Sequence, residues 1–297
     1  MTTQATVEFE AHRPRLFALA YRMLGSASEA EDAVQDAYLR WSTADGSAVR
    51  TPAAWLTKVV TNLCINRLTS ARARRERYVG PWLPEPVLTH TADGRLGPLE
   101  TAEQRESVSF ALLTLMERLT PAERAVFVLR EAFGHSHRDI AEVIGVGEAH
   151  SRQLHRRARE RLGGSPRRHF DVDAAQRAKL VERFFAATLD GDVAGLERLL
   201  ADDVVAWADG GGRVTAARRP VTGRVKVLRY LLGLGARPEA AVIRTDFAEV
   251  NGEPAVLFRV GEDLLGVVVP EIHEGRVSAV RTVLNPDKLA FAAGQLV

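Results

Sequence analysis

Apolar residues return every three or four positions through the first quarter of the chain, the spacing of helices that bury one face. Leu16, Phe17, Leu19, Ala20, Met23 and Leu24 form one such face, and Gly25 follows where a helix C′ residue takes positive φ. Ser28 and Glu31 fit the S-x-x-E capping box and predict the start of a second helix, with Ala30, Ala33, Val34, Ala37, Tyr38 and Trp41 inward. A third helix is predicted from Thr51-Pro52, an N-cap residue followed by proline at the first helical position. Its stripe is Leu56, Val59, Val60, Leu63, Cys64 and Leu68, while Lys58, Asn62 and Asn66 line a different face at intervals of four.

The pattern breaks at 79–105, where Pro81, Pro84, Pro86 and Pro98 with Gly80, Gly94 and Gly97 predict a linker without regular elements. Helical spacing resumes from 106 to 162. Leu112, Leu115, Met116 and Leu119 make one stripe, and Thr120-Pro121-Ala122-Glu123 is a capping box opening the next helix. Ser136 and Asp139 open a short helix, Gly145-Val146-Gly147 turns the chain, and a last helix runs from about Glu148 to Leu162. After a hinge at 164–173, two helices (around 174–189 and 192–201) precede a strand at 204–208 and a helix near 223–234. Strand-like runs follow at 241–250, 254–260, 264–269 and 276–284, with Asn251-Gly252 and Glu274-Gly275 as hairpin turns. Helices followed by a meandering antiparallel sheet predict an α+β domain. The expected organisation is two all-α helical domains, 1–78 and 106–163, joined by the 79–105 linker, then the α+β domain at 174–297.

Composition fits this picture. The 297 residues are about twice an ordinary domain, and 46% hydrophobic with 26% charged residues excludes wholesale disorder. No apolar run approaches a membrane span. The start, MTTQATVEFE, lacks the basic end and apolar core of a signal peptide. A single cysteine excludes a disulfide framework, so a reducing, cytoplasmic setting is expected. The net charge of +2 hides a division: residues 1–78 and 106–169 each carry +3, while 79–105 and 170–297 each carry −2. Arginines crowd the ends of the basic blocks, at 72, 74, 75 and 77 and at 152, 156, 157, 159, 161, 167 and 168.

The sharpest chemical signal is the helix-turn-helix at 136–162, the layout that sets one helix in the major groove. At 100° per residue, Ser151, Leu154, Ala158 and Leu162 face inward, whereas Arg152, Gln153 and Arg156 face out with Arg157 at the edge. Arginine donates bidentately to guanine and glutamine pairs with the adenine edge. Arg159, Arg161, Arg167 and Arg168 suit phosphate contacts. In the first block, Lys58, Asn62 and Asn66, followed by Arg67, Arg72, Arg74 and Arg75, form a second candidate nucleic-acid face. Tyr78, Trp41 and Trp55 are candidates for stacking on unpaired bases, with core packing as the alternative. About 20 nearly extended residues between Tyr78 and Pro98 reach roughly 65–70 Å, about two turns of duplex, so one monomer can touch two DNA elements.

Residues 30–41, AEDAVQDAYLRW, resemble the region 2.2 signature of extracytoplasmic-function RNA polymerase sigma factors. Pro52-Ala53-Ala54-Trp55-Leu56 through Asn62 to Leu68 resembles regions 2.3 to 2.4, and 112–162 resembles region 4. The resemblance implies that Glu31, Asp32, Gln35, Asp36 and Arg40 dock on core RNA polymerase. It implies that Lys58, Asn62, Asn66, Arg67 and Arg72 serve the −10 promoter element, with the loop around 42–52 cradling a flipped base. Arg152, Gln153, Arg156 and Arg157 would serve the −35 element. The chain has Asn66 where family members often carry aspartate.

Trp82-Leu83-Pro84-Glu85-Pro86, Asp209-Gly210-Gly211-Gly212-Arg213 and Asn285-Pro286-Asp287-Lys288-Leu289 resemble motifs of the subgroup with a fused SnoaL-like domain, an α+β cone. The resemblance implies regulation in cis through Trp82, Pro84, Glu85, Asp209, Gly211, Arg213, Asn285, Pro286, Asp287 and Lys288, with no separate anti-sigma protein required. Related cones host polyketide cyclases and ketosteroid isomerases, so Asp209, Glu271 and His273 are the groups an enzyme would use; an unknown small ligand is a further possible partner. No metal-ligand spacing, phosphate-binding loop or dinucleotide fingerprint is present, and no cofactor is expected.

Overall fold

The computed structural model describes residues 2–44, 49–75, 78–89, 96, 99, 101–163, 174–238 and 242–296, with backbone alone at 2–4, 71–75, 102 and 174. The chain folds as two compact units. Met1–Arg77, Thr91–Val108 and Leu112–Pro166 make the first; Tyr78–His90, Ser109–Ala111 and Arg167–Val297 make the second.

In the first unit α1 (Thr2–Leu24), α2 (Ala27–Thr43) and α3 (Pro52–Arg75) pack through the predicted stripes. Leu16, Tyr21, Leu24, Val34, Leu56 and Val60 are all buried. Gly25 closes α1 at φ 66°. The cap of α2 is Ser26, not Ser28: its side chain accepts from the Glu29 amide. Ser26-Ala27-Ser28-Glu29 is itself an S-x-x-E frame, and starting there sets Ala27 and Ala30 in the core. Burial raises the Cys64 thiol to about 12.

The same unit holds α4 (Ala102–Glu106), α6 (Pro121–Glu131), α7 (His137–Ile144) and α8 (Glu148–Arg161), together with α5 (Phe110–Leu115) from Leu112 onward and the 3₁₀ turn at Met116–Arg118 that follows it. The stretch 79–105 was expected to hold no regular element, yet α4 begins inside it. Thr101 and Gln104 form a reciprocal capping box beyond the last proline, and that suffices for a short helix. Arg22 ties this stretch to α1. Its buried guanidinium donates to Ala18 O, Leu96 O and Ser107 Oγ and lies 5.6 Å from the Phe133 ring centroid. Burial lowers its pKa to about 10.

The second unit runs α9 (Ala174–Leu189), α10 (Val193–Leu199), β1 (Leu200–Asp209), β2 (Val221–Thr222), α11 (Arg224–Gly235), β3 (Arg244–Val250), β4 (Glu253–Val260), β5 (Asp263–His273), β6 (Arg276–Val283) and α12 (Pro286–Gly294). The sheet order is β2-β1-β6-β5-β4-β3. β3 to β6 form the expected antiparallel meander, but β1 joins β6 in parallel, so the sheet is mixed. The long connection from β1 to β6, through β2, α11 and the strands β3 to β5, permits that parallel pairing, which no tight turn could make. β1 also begins at Leu200, inside the stretch expected to be helical to 201; Leu199 and Leu200 are buried in either geometry, so apolarity alone does not separate them.

Period-two alternation then sorts the strands. Val256, Val268 and Val280 face Phe184, Leu196 and Leu231 under the helices. Leu257, Val267 and Val269 face the other way, onto Leu83, Leu88, Phe110 and Leu289. The two expected hairpin turns fall at Asn251-Gly252 (φ 55° and 74°) and Glu274-Gly275 (φ 50° and 73°), positive at both positions as the tightest hairpins require, and a third two-residue turn, Gly261-Glu262, joins β4 to β5.

Candidate functional site

Three sets of side chains carry the chemistry. On α2, Asp32, Gln35 and Arg40 are exposed, and Glu31 takes a hydrogen bond at 2.9 Å from Arg13. Leu39, absent from the sequence-based expectation, stands 56% exposed between them and gives this polar face an apolar centre. Its exposure is invisible in sequence, since Leu39 also fits a helical stripe. Asp36 accepts from Arg67 at 2.7 Å, and Asp32 lies 3.6 Å from the same guanidinium. Arg67, half a turn around α3 from Lys58, is thereby held at the α2–α3 joint and apart from Lys58 and Asn66, which are exposed.

Asn62 lies on the Lys58 face. Its amide donates to Lys58 O at 2.9 Å and to Val143 O of α7 at 3.2 Å. The amide that would read a base is therefore engaged by the first helix of the helix-turn-helix. The side chain of Arg72 lies outside the described residues, as do those of Arg74, Arg75 and Arg77; residues 45–48 of the 42–52 loop, Arg167 and Arg168 do too. Trp41 packs in the core and donates to Ala5 O, with Trp55 at 5.6 Å, so this pair serves the bundle.

The helix-turn-helix is built by three local rules. Ser136 and Asp139 cap α7 reciprocally, and Gly145 ends it at φ 73°. Ser151, Leu154 and Ala158 seat α8 inward. On the outer side Arg152, Gln153, Arg156 and Arg157 are all exposed. Glu148 sits 2.9 Å from Arg152 and Glu160 3.5 Å from Arg156, each one turn away, which aligns the guanidinium groups along the helix. At the edges, Arg161 pairs with Glu123 at 2.7 Å and His155 with Glu131 at 2.7 Å, locking α8 to α6.

The third set gathers at Asp209, whose 0% exposure contrasts with the solvent-facing loop that follows. One carboxylate oxygen accepts from the Tyr78 hydroxyl at 2.6 Å and from the Gly211 amide at 3.1 Å. The other accepts from the Leu83 amide at 2.8 Å and from Lys288 Nζ at 2.7 Å. Lys288 also donates to Leu83 O and lies 4.3 Å from the Trp82 ring centroid. Asn285 caps α12, its side chain accepting from Asp287 N, and donates to the Tyr78 oxygen at 2.9 Å. Pro286 takes the first helical position. Gly211 sits at φ 58°, and a Cβ there would lie 2.2 Å from Asn285 Nδ2, so the loop can approach only as glycine.

Arg213 and Asp287 complete the cluster as an exposed pair at 3.1 Å. Pro84 and Glu85 are buried in the segment that Asp209 holds. That segment is further fixed by Val87 N to Asn251 Oδ1 and Leu88 N to Gln295 Oε1. Tyr78, expected near unpaired bases, instead completes this junction. Burial and the Asp209 hydrogen bond raise its pKa above the ordinary phenol value.

Glu271 is buried against Arg281, whose guanidinium stacks 4.4 Å from the Trp207 ring centroid. His273 lies half-exposed at the end of β5. Asp209, Glu271 and His273 thus do not converge.

An outward arginine row on a helix-turn-helix, behind a three-helix bundle with its own polar face, defines a DNA-binding transcription protein. Residues 9–74 match Sigma-70 region 2, and residues 109–162 match Sigma-70, region 4. The chain is 39% identical over 290 residues to the ECF RNA polymerase sigma factor SigJ of Mycobacterium tuberculosis, covering 95% of this chain and 92% of that one. It is 33% identical over 285 residues to the probable ECF RNA polymerase sigma factor SigI of the same species, covering 95% and 93%. The crystal structure of M. tuberculosis extracytoplasmic function sigma factor SigJ superposes with a TM-score of 0.76 at 35% identity, over 96% of this chain and 98% of that one. The chain belongs to the extracytoplasmic-function RNA polymerase sigma factors. Among the described residues no helix is long and apolar enough to cross a membrane.

Proposed function

We propose that this chain is an alternative sigma factor that initiates transcription in the cytoplasm, with its second unit modulating activity in cis. The α2 face of Glu31, Asp32, Gln35, Leu39 and Arg40 docks on core RNA polymerase, with Asp36 orienting Arg67 beside it. Lys58, Asn62, Asn66 and Arg72 serve the −10 element, and Arg152, Gln153, Arg156 and Arg157 the −35 element. For Asn62 to reach a base, α7 must release it from Val143 O.

The observation that carries regulation in cis is the buried Asp209 junction. The chain leaves the first unit after Arg77 and re-enters it at Thr91, and the intervening segment belongs to the second unit. Tyr78, Trp82, Leu83, Asp209, Asn285 and Lys288 hold that segment, which lies between the two promoter-reading regions in sequence. A change in the junction therefore changes the freedom of the connection, and no separate anti-sigma protein is required for this. We read the second unit as non-catalytic, because Asp209 and Glu271 are each spent on a buried cation.

Run-off transcription with purified core polymerase and promoter DNA tests the initiation reading. A promoter-dependent product supports it, and none with the full chain or with junction variants discards it. Asp209→Asn or Trp82→Ala should change the amount of product; unchanged output in both removes the regulatory reading.

A further inference from the structure

Between α9, α11 and the sheet of the second unit lies a cavity of about 650 Å³. That size falls within the roughly 300–1,000 Å³ of small-molecule sites. Its walls are Phe184, Phe185, Leu231, Phe258, Val268 and their neighbours, overwhelmingly apolar. Among the described lining residues there is no carboxylate, imidazole, thiol or amine that could serve as acid, base or nucleophile. Tyr230 is the one phenol among those residues, and with no carboxylate or imidazole beside it the chamber suits binding better than proton transfer.

Its polar groups are four threonine hydroxyls, the Tyr230 phenol and the Arg237 guanidinium. Arg237 is the one charged side chain among the described lining residues, and it is exposed. It lies close enough to the Tyr230 hydroxyl to act on it electrostatically. Tyr230 itself is half-buried, and burial holds its pKa above the ordinary phenol value, so the hydroxyl remains a donor at neutral pH. The Thr188 hydroxyl is already spent on Phe184 O. A positive guanidinium beside a phenolic donor, backed by an apolar chamber, is complementary to an apolar molecule with one anionic group.

The cavity also touches the loop that follows Asp209 and the stretch of chain that leads into Asn285. Thr215, Ala216 and Ala217 line it just beyond the 209–213 loop. Thr282 and Leu284 line it just before Asn285, and Leu284 N donates to Asp209 O at 2.8 Å. An occupant therefore bears on the backbone that positions Asp209 and Asn285.

We infer that the second unit is a receptor for an apolar, ring-sized organic anion, bound in this cavity with its charge at Arg237 and Tyr230, and that occupancy adjusts the Asp209 junction. The last step rests on the reading of the second unit as a regulator in cis.

The test uses the full chain with two fluorescent probes, the anion 1-anilinonaphthalene-8-sulfonate and neutral Nile red. The anionic probe should titrate to one saturable site. Leu234→Trp, which fills the chamber, should weaken both probes about tenfold or more, which is ~1.4 kcal/mol. Arg237→Glu, at an exposed position that leaves folding intact, should weaken the anionic probe about fivefold or more and leave Nile red within about twofold. No saturable site, or titration curves unchanged in Arg237→Glu, overturns the receptor. Asp209→Asn separates the two ideas because it leaves the lining untouched. Altered transcription with failed probe binding overturns the receptor alone, whereas probe binding with unaltered transcription overturns the coupling to the junction.

Discussion

On α8 the guanidinium groups of Arg152 and Arg156 stand in solvent, each beside a glutamate one turn away, whereas at the end of β1 the Asp209 carboxylate is enclosed by Lys288, Tyr78 and the Leu83 amide. Exposed charges on a helix are loosely held by their neighbours and free to exchange them for phosphates or base edges. A buried carboxylate has no such freedom: every lone pair must be met by a particular donor, so it dictates which segments come together. One region is built to be available, the other to be specific.

Substitutions can break this contrast, and the largest effect is expected at the junction. Lys288→Met leaves the Asp209 charge buried without its cation and should destabilise the second unit by about 3–5 kcal/mol, measured by urea denaturation. Adding Asp209→Asn should recover part of that loss, since the charge left behind is then gone. A single change as mild as those on the surface would contradict the burial argument.

Tyr78→Phe removes a donor to Asp209 and should cost about 1.5–3 kcal/mol. It should also change the pH profile. Because the folded state raises the Tyr78 pKa, the unfolded chain loses the phenolic proton first, and this group's stability contribution, whole below about pH 10, is lost as pH rises beyond it. Replacing the tyrosine should flatten that alkaline fall, read as denaturation midpoints from pH 8 upward.

On α8, Gln153→Ala or Arg156→Ala should cost about 1–3 kcal/mol of discrimination at one promoter position. The same variants should leave the unfolding midpoint within about 0.5 kcal/mol of the parent. Competitive binding of polymerase holoenzyme to single-base promoter variants gives the first quantity and denaturation the second. The smallest effect should come from Arg213→Ala. Its pair with Asp287 belongs to the same motif set as Lys288 but lies in solvent, so the stability change should stay under about 1 kcal/mol. A loss as large as that for Lys288→Met would mean that motif membership, not burial, sets the cost.

Much of this was legible in the amino-acid order. Helix starts at Thr120 and Ser136, the inward set of α8 and the hairpin turns at Asn251-Gly252 and Glu274-Gly275 follow from local chemistry acting over a few residues, and they fall where expected. Two of the misplacements share a cause: two registers satisfied the same local rule. Ser26 and Ser28 both head an S-x-x-E frame, and Leu200 suits a buried helix end or a buried strand start. Long-range pairing was opaque, as in the parallel β1–β6 ladder and the capture of Tyr78 by Asp209. A signal for the junction was present nonetheless. Asp209 ends an apolar run, Val204 to Ala208, and such a carboxylate needs a cation; Lys288 is the one cation of a helix that is apolar from Leu289 onward. Arg67 shows the converse: its position in a basic run suggested phosphate, but its place around α3 gave it to Asp36.

Leu83 and Leu88, far upstream of β1, complete one face of the sheet together with Phe110. The second unit is therefore woven from three separate stretches of chain, and no cut near residue 166 can excise it whole. Trimming the chain there would strip Leu83, Leu88 and Phe110 of their partners and leave a greasy ribbon dangling between the two helical regions. The behaviour of such a shortened protein would report on that bared ribbon as much as on the missing domain. Point changes at Asp209 or Lys288 are the cleaner tool for asking what the domain does.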